Sequence, residues 1–171
     1  AHHFPANYRP RRKLELLGRR YPEVINASTQ KEDAVDLGYF AKYRYVVDIG
    51  GVSCTTWSAL HWKLAAGSLV LRVEHPGGMH NWWTRNVIRP WVHYVPVRAD
   101  YSDLFEIIRF FEKNNDAAVA IAARGQRAAL TYTQTVAFDV LAKILLDSTK
   151  GSNPALLPYI HDPPADLWYC A

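Results

Sequence analysis

Continuous apolar runs along the chain predict three buried strands. Tyr43–Ile49 and Ser68–Val73 are rich in Tyr, Val and Leu, and each is followed by turn residues. Runs of this length and composition are typical of strands buried on both faces of a sheet. A third strand is predicted over Val92–Val97, and we expect Pro96 to end it because proline cannot donate to a sheet ladder.

Segments with apolar residues three and four apart predict helices between and after these strands. Leu60 and Leu64 lie on one such stripe, and Gly67 follows as a stop signal. The predicted helices are Lys13–Arg20, Thr56–Ala66, one that is capped by Asp100 or Ser102 and ends at Asn114–Asn115, one that is capped by Asp116, and Gln134–Leu146.

This alternation of strands and helices predicts an α/β fold with a Rossmann-like parallel sheet, because parallel strands need crossover connections. We expect residues 1–150 to form this domain, with its N-terminal part incomplete. Ala1–Arg12 contains Pro5 and Pro10 and no apolar period, so it is predicted to be a loop or a frayed start of the domain. Residues 151–171 are rich in proline and are predicted to form a C-terminal tail.

Composition and charge exclude several classes of protein. The 171 residues suffice for one domain, and 49% of them are apolar, which excludes a disordered chain. The formal net charge of +4 is mildly basic and does not by itself indicate nucleic-acid binding. No apolar run reaches the roughly 20 residues that span a bilayer. Cys54 and Cys170 cannot form a disulfide framework or a zinc site by themselves.

The segment that follows the first strand is the strongest candidate for a ligand site. Gly50–Gly51 permits an unusual backbone there, and three hydroxyl residues, Ser53, Thr55 and Thr56, precede the predicted helix. Ligands of open α/β sheets bind at the carboxyl ends of strands, and a helix N-terminus offers N–H groups to an anion. A phosphate fits this pattern, although the segment matches neither a dinucleotide fingerprint nor a P-loop. The alternative is a plain turn followed by a capped helix.

Other candidate residues carry weaker signals. The basic residues near the start of the chain suit either a phosphate or a solvated helix face. His75 and His80 lack further metal ligands, and Trp82 and Trp83 suit either a sugar or a core. Asn26-Ala27-Ser28 fits the N-glycosylation acceptor pattern, which would place the chain in a lumen if it were used.

Five blocks of the sequence resemble glycosyltransferase family 90. That family includes Rumi-type protein O-glucosyltransferases and fungal capsule-associated xylosyltransferases. The resemblance covers roughly Arg11 to Leu145, and its blocks are Lys42–Gly51, Thr56–Ser58, Ala66–Val70, Arg89–Val97 and Asp100–Leu104.

The resemblance implies that this chain is the C-terminal, nucleotide-sugar-binding half of a GT-B enzyme. It implies inverting transfer of glucose or xylose from a UDP-sugar to a hydroxyl of a protein or glycan, with no metal and no further cofactor. It also implies the lumen of the endoplasmic reticulum or Golgi. The family's catalytic base is an aspartate of the N-terminal domain, so we expect no catalytic residue in this chain. The missing domain would also bind the acceptor.

The resemblance also implies donor-binding residues. Arg11 aligns with an arginine that contacts the donor diphosphate. The loop that wraps the UDP corresponds to Gly51, Val52, Ser53, Cys54, Thr55, Thr56 and Trp57. Many members carry an arginine where this chain has Leu60, and His61 is the nearest basic group.

Three interpretations follow from these observations. The chain is either the donor half of a glycosyltransferase, as a fragment or a truncated paralogue, or a non-catalytic nucleotide-sugar-binding or scaffold module. The third, a nucleic-acid-binding domain, depends only on the high isoelectric point and the arginine-rich start, so we expect no nucleic-acid partner.

Overall fold

A three-stranded parallel sheet forms the centre of the fold. The computed structural model describes residues 9–30, 32, 35, 37–50, 58–74 and 88–131. The strands are β1 (Tyr45–Asp48), β2 (Leu69–Val73) and β3 (Val95–Val97), in the order β1-β2-β3. Tyr45 pairs with Leu69 at one end of the sheet, and Val73 pairs with Val97 at the other. The prediction of a parallel α/β sheet is confirmed for this part of the chain.

Within the described residues, four α-helices and one 3₁₀ helix surround the sheet. They are α1 (Arg9–Arg20), the 3₁₀ helix Leu37–Lys42, α2 (Ser58–Ala65), α3 (Leu104–Lys113) and α4 (Asn115–Thr131). Gly67 ends the turn after α2 with a φ of +82°, a conformation that favours glycine. The predicted stop signal after the second helix is therefore confirmed.

Both faces of the sheet are covered by helices, as the apolar strands predict. Alternate strand residues point to opposite faces, so Leu69, Leu71 and Val73 pack in one core cluster and Val70 packs in another. The first-face cluster also contains Leu14 of α1, Leu104 and Phe111 of α3, and Ala118, Ile121 and Ala122 of α4. The second-face cluster also contains Leu60 and Leu64 of α2, Ile88, and Ala129 of α4.

The first helix begins earlier than its sequence predicts. Residues up to Arg12 are predicted to be a loop, but α1 already starts at Arg9 and includes Pro10. Proline is tolerated in the first turn of a helix because the N–H groups there have no intrahelical acceptor. The prediction of a loop over residues 9–12 is therefore wrong.

Pro96 does not end the third strand. It lies in the middle of β3 and is the register partner of Arg72 on β2. β3 is an outer strand of the described sheet, and an outer strand accommodates a residue without an N–H donor on its open side. β3 begins later than the predicted strand, at Val95 rather than Val92. The reason is that Arg89–Tyr94 forms a turn, in which the Trp91 N–H donates to the Tyr94 carbonyl oxygen at 2.7 Å.

The starts of the last two helices also differ from prediction. Asp103, rather than Asp100 or Ser102, is the N-cap residue of α3. Its carboxylate accepts a hydrogen bond from the Arg98 N–H at 3.0 Å and caps no N–H of the helix. Asp116 is not a cap, because α4 already begins at Asn115.

Some predictions lie outside the described residues. These are the helix Gln134–Leu146, the tail over residues 151–171 and the domain boundary at residue 150. Within the described part of the chain, no helix is long and apolar enough to cross a membrane.

Close packing at Gly125 generates a first prediction. A Cβ atom there would lie 2.5 Å from the His93 carbonyl oxygen and 2.8 Å from Leu64 Cδ2. We expect Gly125→Ala to lower the free energy of unfolding by about 1–3 kcal/mol, because this overlap outweighs the roughly 1 kcal/mol by which alanine favours a helix. Urea denaturation followed by circular dichroism measures the change.

Gly18→Ala in α1 is the matched control. There the nearest atom, the Ile25 carbonyl oxygen, would lie 3.2 Å from the new Cβ, so the neighbours have to move much less. We expect a clearly smaller loss for this variant. A Gly125→Ala protein as stable as the unmodified chain would show that α4 is not packed this closely.

Candidate functional site

The candidate site lies at the edge of the sheet where the strands end. All three strands are parallel, so Ile49, Glu74 and Arg98, the residues that follow them, lie at the same edge, which we call the carboxyl edge. The backbone remains paired just beyond the strands, since the Glu74 N–H donates to the Val97 carbonyl oxygen at 2.7 Å. Open α/β sheets bind ligands at this edge.

Arg11 brings a positive charge to the carboxyl edge. It lies in the first turn of α1, and its guanidinium donates a hydrogen bond to the Ile49 carbonyl oxygen at 3.3 Å. The side chain is exposed. A guanidinium has five N–H donors, and this single contact leaves capacity to bind an anion. Arg11 is thereby placed next to Gly50, the residue that precedes the predicted UDP loop.

Tyr101 fixes the first turn of α1 at this edge. Its hydroxyl donates to the Pro10 carbonyl oxygen at 3.0 Å, and its side chain is only 3% exposed. Burial raises the pKa of the Tyr101 phenol, while the charge of Arg11 acts in the opposite direction. Tyr101 also has a φ of +59°, a conformation that costs a non-glycine residue free energy. The hydrogen bond from Tyr101 therefore fixes the helical turn that carries Arg11.

His61 is the second predicted ligand residue within the described part of the chain. It lies in α2 and is half-buried, and its ring meets the Trp62 ring edge-on with 5.8 Å between centroids. Burial lowers the pKa of His61 below its ordinary value of 6.5, because desolvation disfavours the charged imidazolium. Burial thus favours the neutral imidazole in the ligand-free chain.

Leu60 faces the core rather than the candidate site. It is 0% exposed and packs with Leu64 and Val70 in the second-face cluster. A long cationic side chain at this position would have to leave the core or be buried without water. The helix face that carries Leu60 therefore packs against the sheet. His61 is the next residue along α2 and lies outside the second-face cluster.

A group of buried charges lies at the carboxyl ends of β1 and β2. Asp48 is 0% exposed, and its Oδ1 accepts a hydrogen bond from Lys63 Nζ at 2.9 Å. Lys63 Nζ also donates to the Val47 carbonyl oxygen at 3.0 Å. Arg72, the register partner of Asp48, has its Nε 4.0 Å from Asp48 Oδ2. The arrangement attaches α2 to the end of β1.

Local sequence patterns do not predict this buried charge cluster of Asp48, Lys63 and Arg72. A signal was present, because Asp48 and Arg72 interrupt otherwise apolar strands. Charged residues are rarely buried unless they are paired. The sequence alone does not identify Lys63 as the partner of Asp48, because the pairing depends on how α2 packs on the sheet.

Several candidate residues lie outside the described part of the chain. They are Gly51, Val52, Ser53, Cys54, Thr55, Thr56, Trp57, His75, His80, Trp82 and Trp83. Arg12 and Lys13 lie within it and are exposed on α1. Among the described residues, no three His, Cys, Asp or Glu side chains lie close enough together to hold a metal ion.

Comparison with protein families gives one match. The model of the family described as "Glycosyl transferase family 90" matches residues 9–138. The matched range includes Arg11, His61 and the buried charge cluster.

Comparison with curated proteins gives relatives of two kinds. Protein O-glucosyltransferase 1 of Rattus norvegicus is 32% identical in an alignment of 136 residues that covers 71% of this chain and 33% of the relative. Protein O-glucosyltransferase 3 of the same species is 32% identical over 138 residues, covering 72% of this chain and 26% of the relative. Uncharacterized protein 027R of Frog virus 3 is 37% identical over 115 residues, covering 66% of this chain and 11% of the relative. The chain spans about a third or less of the length of these relatives.

The buried charge cluster generates a second prediction. Lys63→Met should lower the free energy of unfolding by about 3–5 kcal/mol, because the Asp48 carboxylate would then be buried without its hydrogen-bonded cation. Adding Asp48→Asn to this variant should restore part of the loss, because it removes the buried negative charge but also the countercharge next to Arg72. Thermal and urea denaturation of the single and double variants measure both effects.

Lys13→Met, which removes an exposed lysine of α1, is the control for the change in net charge. We expect it to alter stability by no more than about 0.5 kcal/mol. If Lys63→Met is as stable as Lys13→Met, the Asp48 carboxylate does not depend on Lys63.

Proposed function

Because this chain belongs to glycosyl transferase family 90, we propose that it is the donor-binding half of a UDP-sugar-dependent, inverting glycosyltransferase with the GT-B architecture. The proposed reaction transfers glucose or xylose to a hydroxyl of a protein or glycan. In this proposal an N-terminal domain supplies the acceptor site and the catalytic aspartate.

The position of Arg11 is the observation that carries the proposal. Its guanidinium lies beside Ile49 at the carboxyl edge, the usual ligand edge of a parallel α/β sheet. Arginine binds phosphate oxygens through parallel N–H donors and keeps its charge at any physiological pH. A diphosphate at this position would therefore meet a permanent positive charge on the first turn of α1.

The chemistry of inverting transfer explains why a cation is needed there. The acceptor oxygen forms a bond to C1 of the sugar while the bond from C1 to the diphosphate oxygen breaks. The hydroxyl proton passes to the catalytic base, and UDP leaves with an additional negative charge. Donors that are already in place where this charge develops stabilise the transition state. Arg11 is proposed to act in this way, without a metal ion or other cofactor.

The loop from Gly51 to Trp57 is proposed to wrap the UDP. This proposal is supported by the contact between Asp48 and Lys63, which holds together β1 and α2, the elements before and after it in the sequence. His61 lies in the first turns of α2 and is proposed to add a second positive charge when phosphates favour its protonated form.

A non-catalytic nucleotide-sugar-binding or scaffold module is the second candidate function. Leu60 favours it, because this buried leucine occupies the position where the resemblance places an arginine in many members. Both candidates bind UDP. The complete protein would separate them, since only the enzyme releases UDP from a UDP-sugar in the presence of an acceptor.

The lumen of the endoplasmic reticulum or Golgi is the proposed location. This location is what the family resemblance implies, and the relatives named protein O-glucosyltransferase support a protein acceptor.

A third prediction concerns Arg11. Arg11→Ala should weaken UDP binding by roughly tenfold to a hundredfold, because a hydrogen bond to a charged group contributes about 1.5–3 kcal/mol. Binding of uridine, which has no phosphate, should change little. Isothermal titration calorimetry of the 171-residue chain, in buffers with and without EDTA, measures both ligands.

Arg20→Ala is the matched control, because it removes the same charge from the other end of α1. It should leave UDP affinity nearly unchanged. Equal losses for UDP and uridine in Arg11→Ala would show that Arg11 acts through the fold. Binding that EDTA abolishes would contradict the proposed metal independence.

A fourth prediction concerns pH. The pKa of His61 is lowered in the ligand-free chain, and a bound diphosphate should raise it. UDP affinity should therefore increase as the pH falls through the bound-state pKa and level off below the ligand-free pKa. UDP titrates in the same region, so calorimetric pH profiles are compared between variants.

His61→Asn should lose this part of the pH dependence, because an amide does not titrate. His61→Arg should bind UDP at least as tightly as the unmodified chain and show a flatter profile, since its charge is permanent. Superimposable profiles of the unmodified chain and His61→Asn would show that His61 does not face the phosphates.

A further inference from the structure

The loop between α1 and the 3₁₀ helix carries a glycosylation motif that the donor site does not use. Asn26-Ala27-Ser28 is the only Asn-x-Ser/Thr tripeptide in the 171 residues. Such a motif is modified only where the asparagine reaches the surface of a lumenal chain. Whether the motif can be modified therefore depends on where the Asn26 side chain lies.

The loop is ordered on both sides of Asn26, and the asparagine itself is exposed. Ile25 and Ala27 pack against the first-face cluster and come close to Gly18 of α1. The Thr29 hydroxyl donates to the buried Glu15 carboxylate at 2.6 Å, which attaches the loop to the same helix. Because the residues before and after it face the core, Asn26 is turned outward.

The Asn26 amide can form a glycosidic bond without losing its contact. Its Nδ2 donates one hydrogen to the Tyr43 hydroxyl at 2.8 Å. A primary amide has two hydrogens, and the Asn26 side chain also interacts with the Tyr39 hydroxyl, which accepts a hydrogen bond from Tyr43. Glycosylation replaces one hydrogen and leaves the other for a contact with these two tyrosines.

We propose that Asn26 is an N-glycosylation site. The sugar donor is a lipid-linked oligosaccharide diphosphate. The amide nitrogen forms a bond to C1 of the first sugar, the bond from C1 to the diphosphate breaks, and the amide proton passes to a base of the transferring enzyme. The proposal rests on the lumenal location proposed above, and not on the sugar donor that this chain would bind.

A glycan at Asn26 would lie away from the candidate donor site. Asn26 contacts Tyr43, which precedes β1, whereas Arg11 contacts Ile49, which follows it. The four residues of β1, at about 3.3 Å each, separate these two contacts along the strand. Glycosylation should therefore leave UDP binding unchanged.

The test expresses the whole chain behind a cleavable signal peptide in a eukaryotic secretory host. Treatment with peptide N-glycosidase F in heavy-oxygen water, followed by peptide mass spectrometry, identifies the modified asparagine. We expect a glycan at Asn26 in the unmodified chain and none in Asn26→Gln or Ser28→Ala. Ser28→Ala keeps the Asn26 amide and its Tyr43 partner, so it separates loss of the motif from loss of the contact.

Secreted, folded chain without a glycan at Asn26 would overturn the proposal. A glycan whose removal changes UDP affinity several-fold would overturn its placement away from the donor site. If glycosylated and deglycosylated chains both fail to bind UDP, the glycosylation proposal stands and the proposed donor function fails.

Discussion

The buried carboxylate of Asp48 determines how the carboxyl edge is arranged. A charge removed from water has to be matched inside the protein, and Lys63 matches it with a hydrogen bond of 2.9 Å. Lys63 belongs to α2, and it also contacts the backbone of β1, so the end of the strand and the helix that follows are held together. Arg72 of β2 adds positive charge at the same place. The cluster therefore fixes the end of β1 relative to α2, the helix that follows it in the sequence.

The two ends of the sheet have different roles in this account. At the carboxyl edge, Tyr101 holds the first turn of α1, which places Arg11 beside the end of β1. At the opposite edge, α4 packs closely on the turn before β3 through Gly125, and the loop with Asn26 lies beside Tyr43. Binding chemistry is thus proposed at one end, while the other end provides packing and a surface for modification.

Local patterns in the sequence predict the strands and α2, because apolar runs and the stop at Gly67 are properties of neighbouring residues. The position of Pro96 could not be predicted in the same way, since a proline is tolerated in β3 only because of where that strand lies in the sheet. The choice of Asp103 as the cap of α3 depends on a tertiary feature as well, the turn that presents the Arg98 N–H. The family resemblance implies Arg11 as a donor-binding residue, but its contact with Ile49 depends on how α1 packs beside β1. Asp48 and Lys63, 15 residues apart, become partners only when α2 packs on the sheet.

A nucleoside diphosphate is proposed to bind at the carboxyl edge. Titration of the isotopically labelled chain with UDP, followed by amide chemical shifts in NMR spectra, measures where it binds. Shift changes should concentrate at Arg11, Ile49, His61 and Tyr101, while Asn26, Tyr43 and Trp91 at the other edge stay unchanged. Shift changes centred on the other edge, or none in a folded chain at saturating UDP, would contradict this proposal.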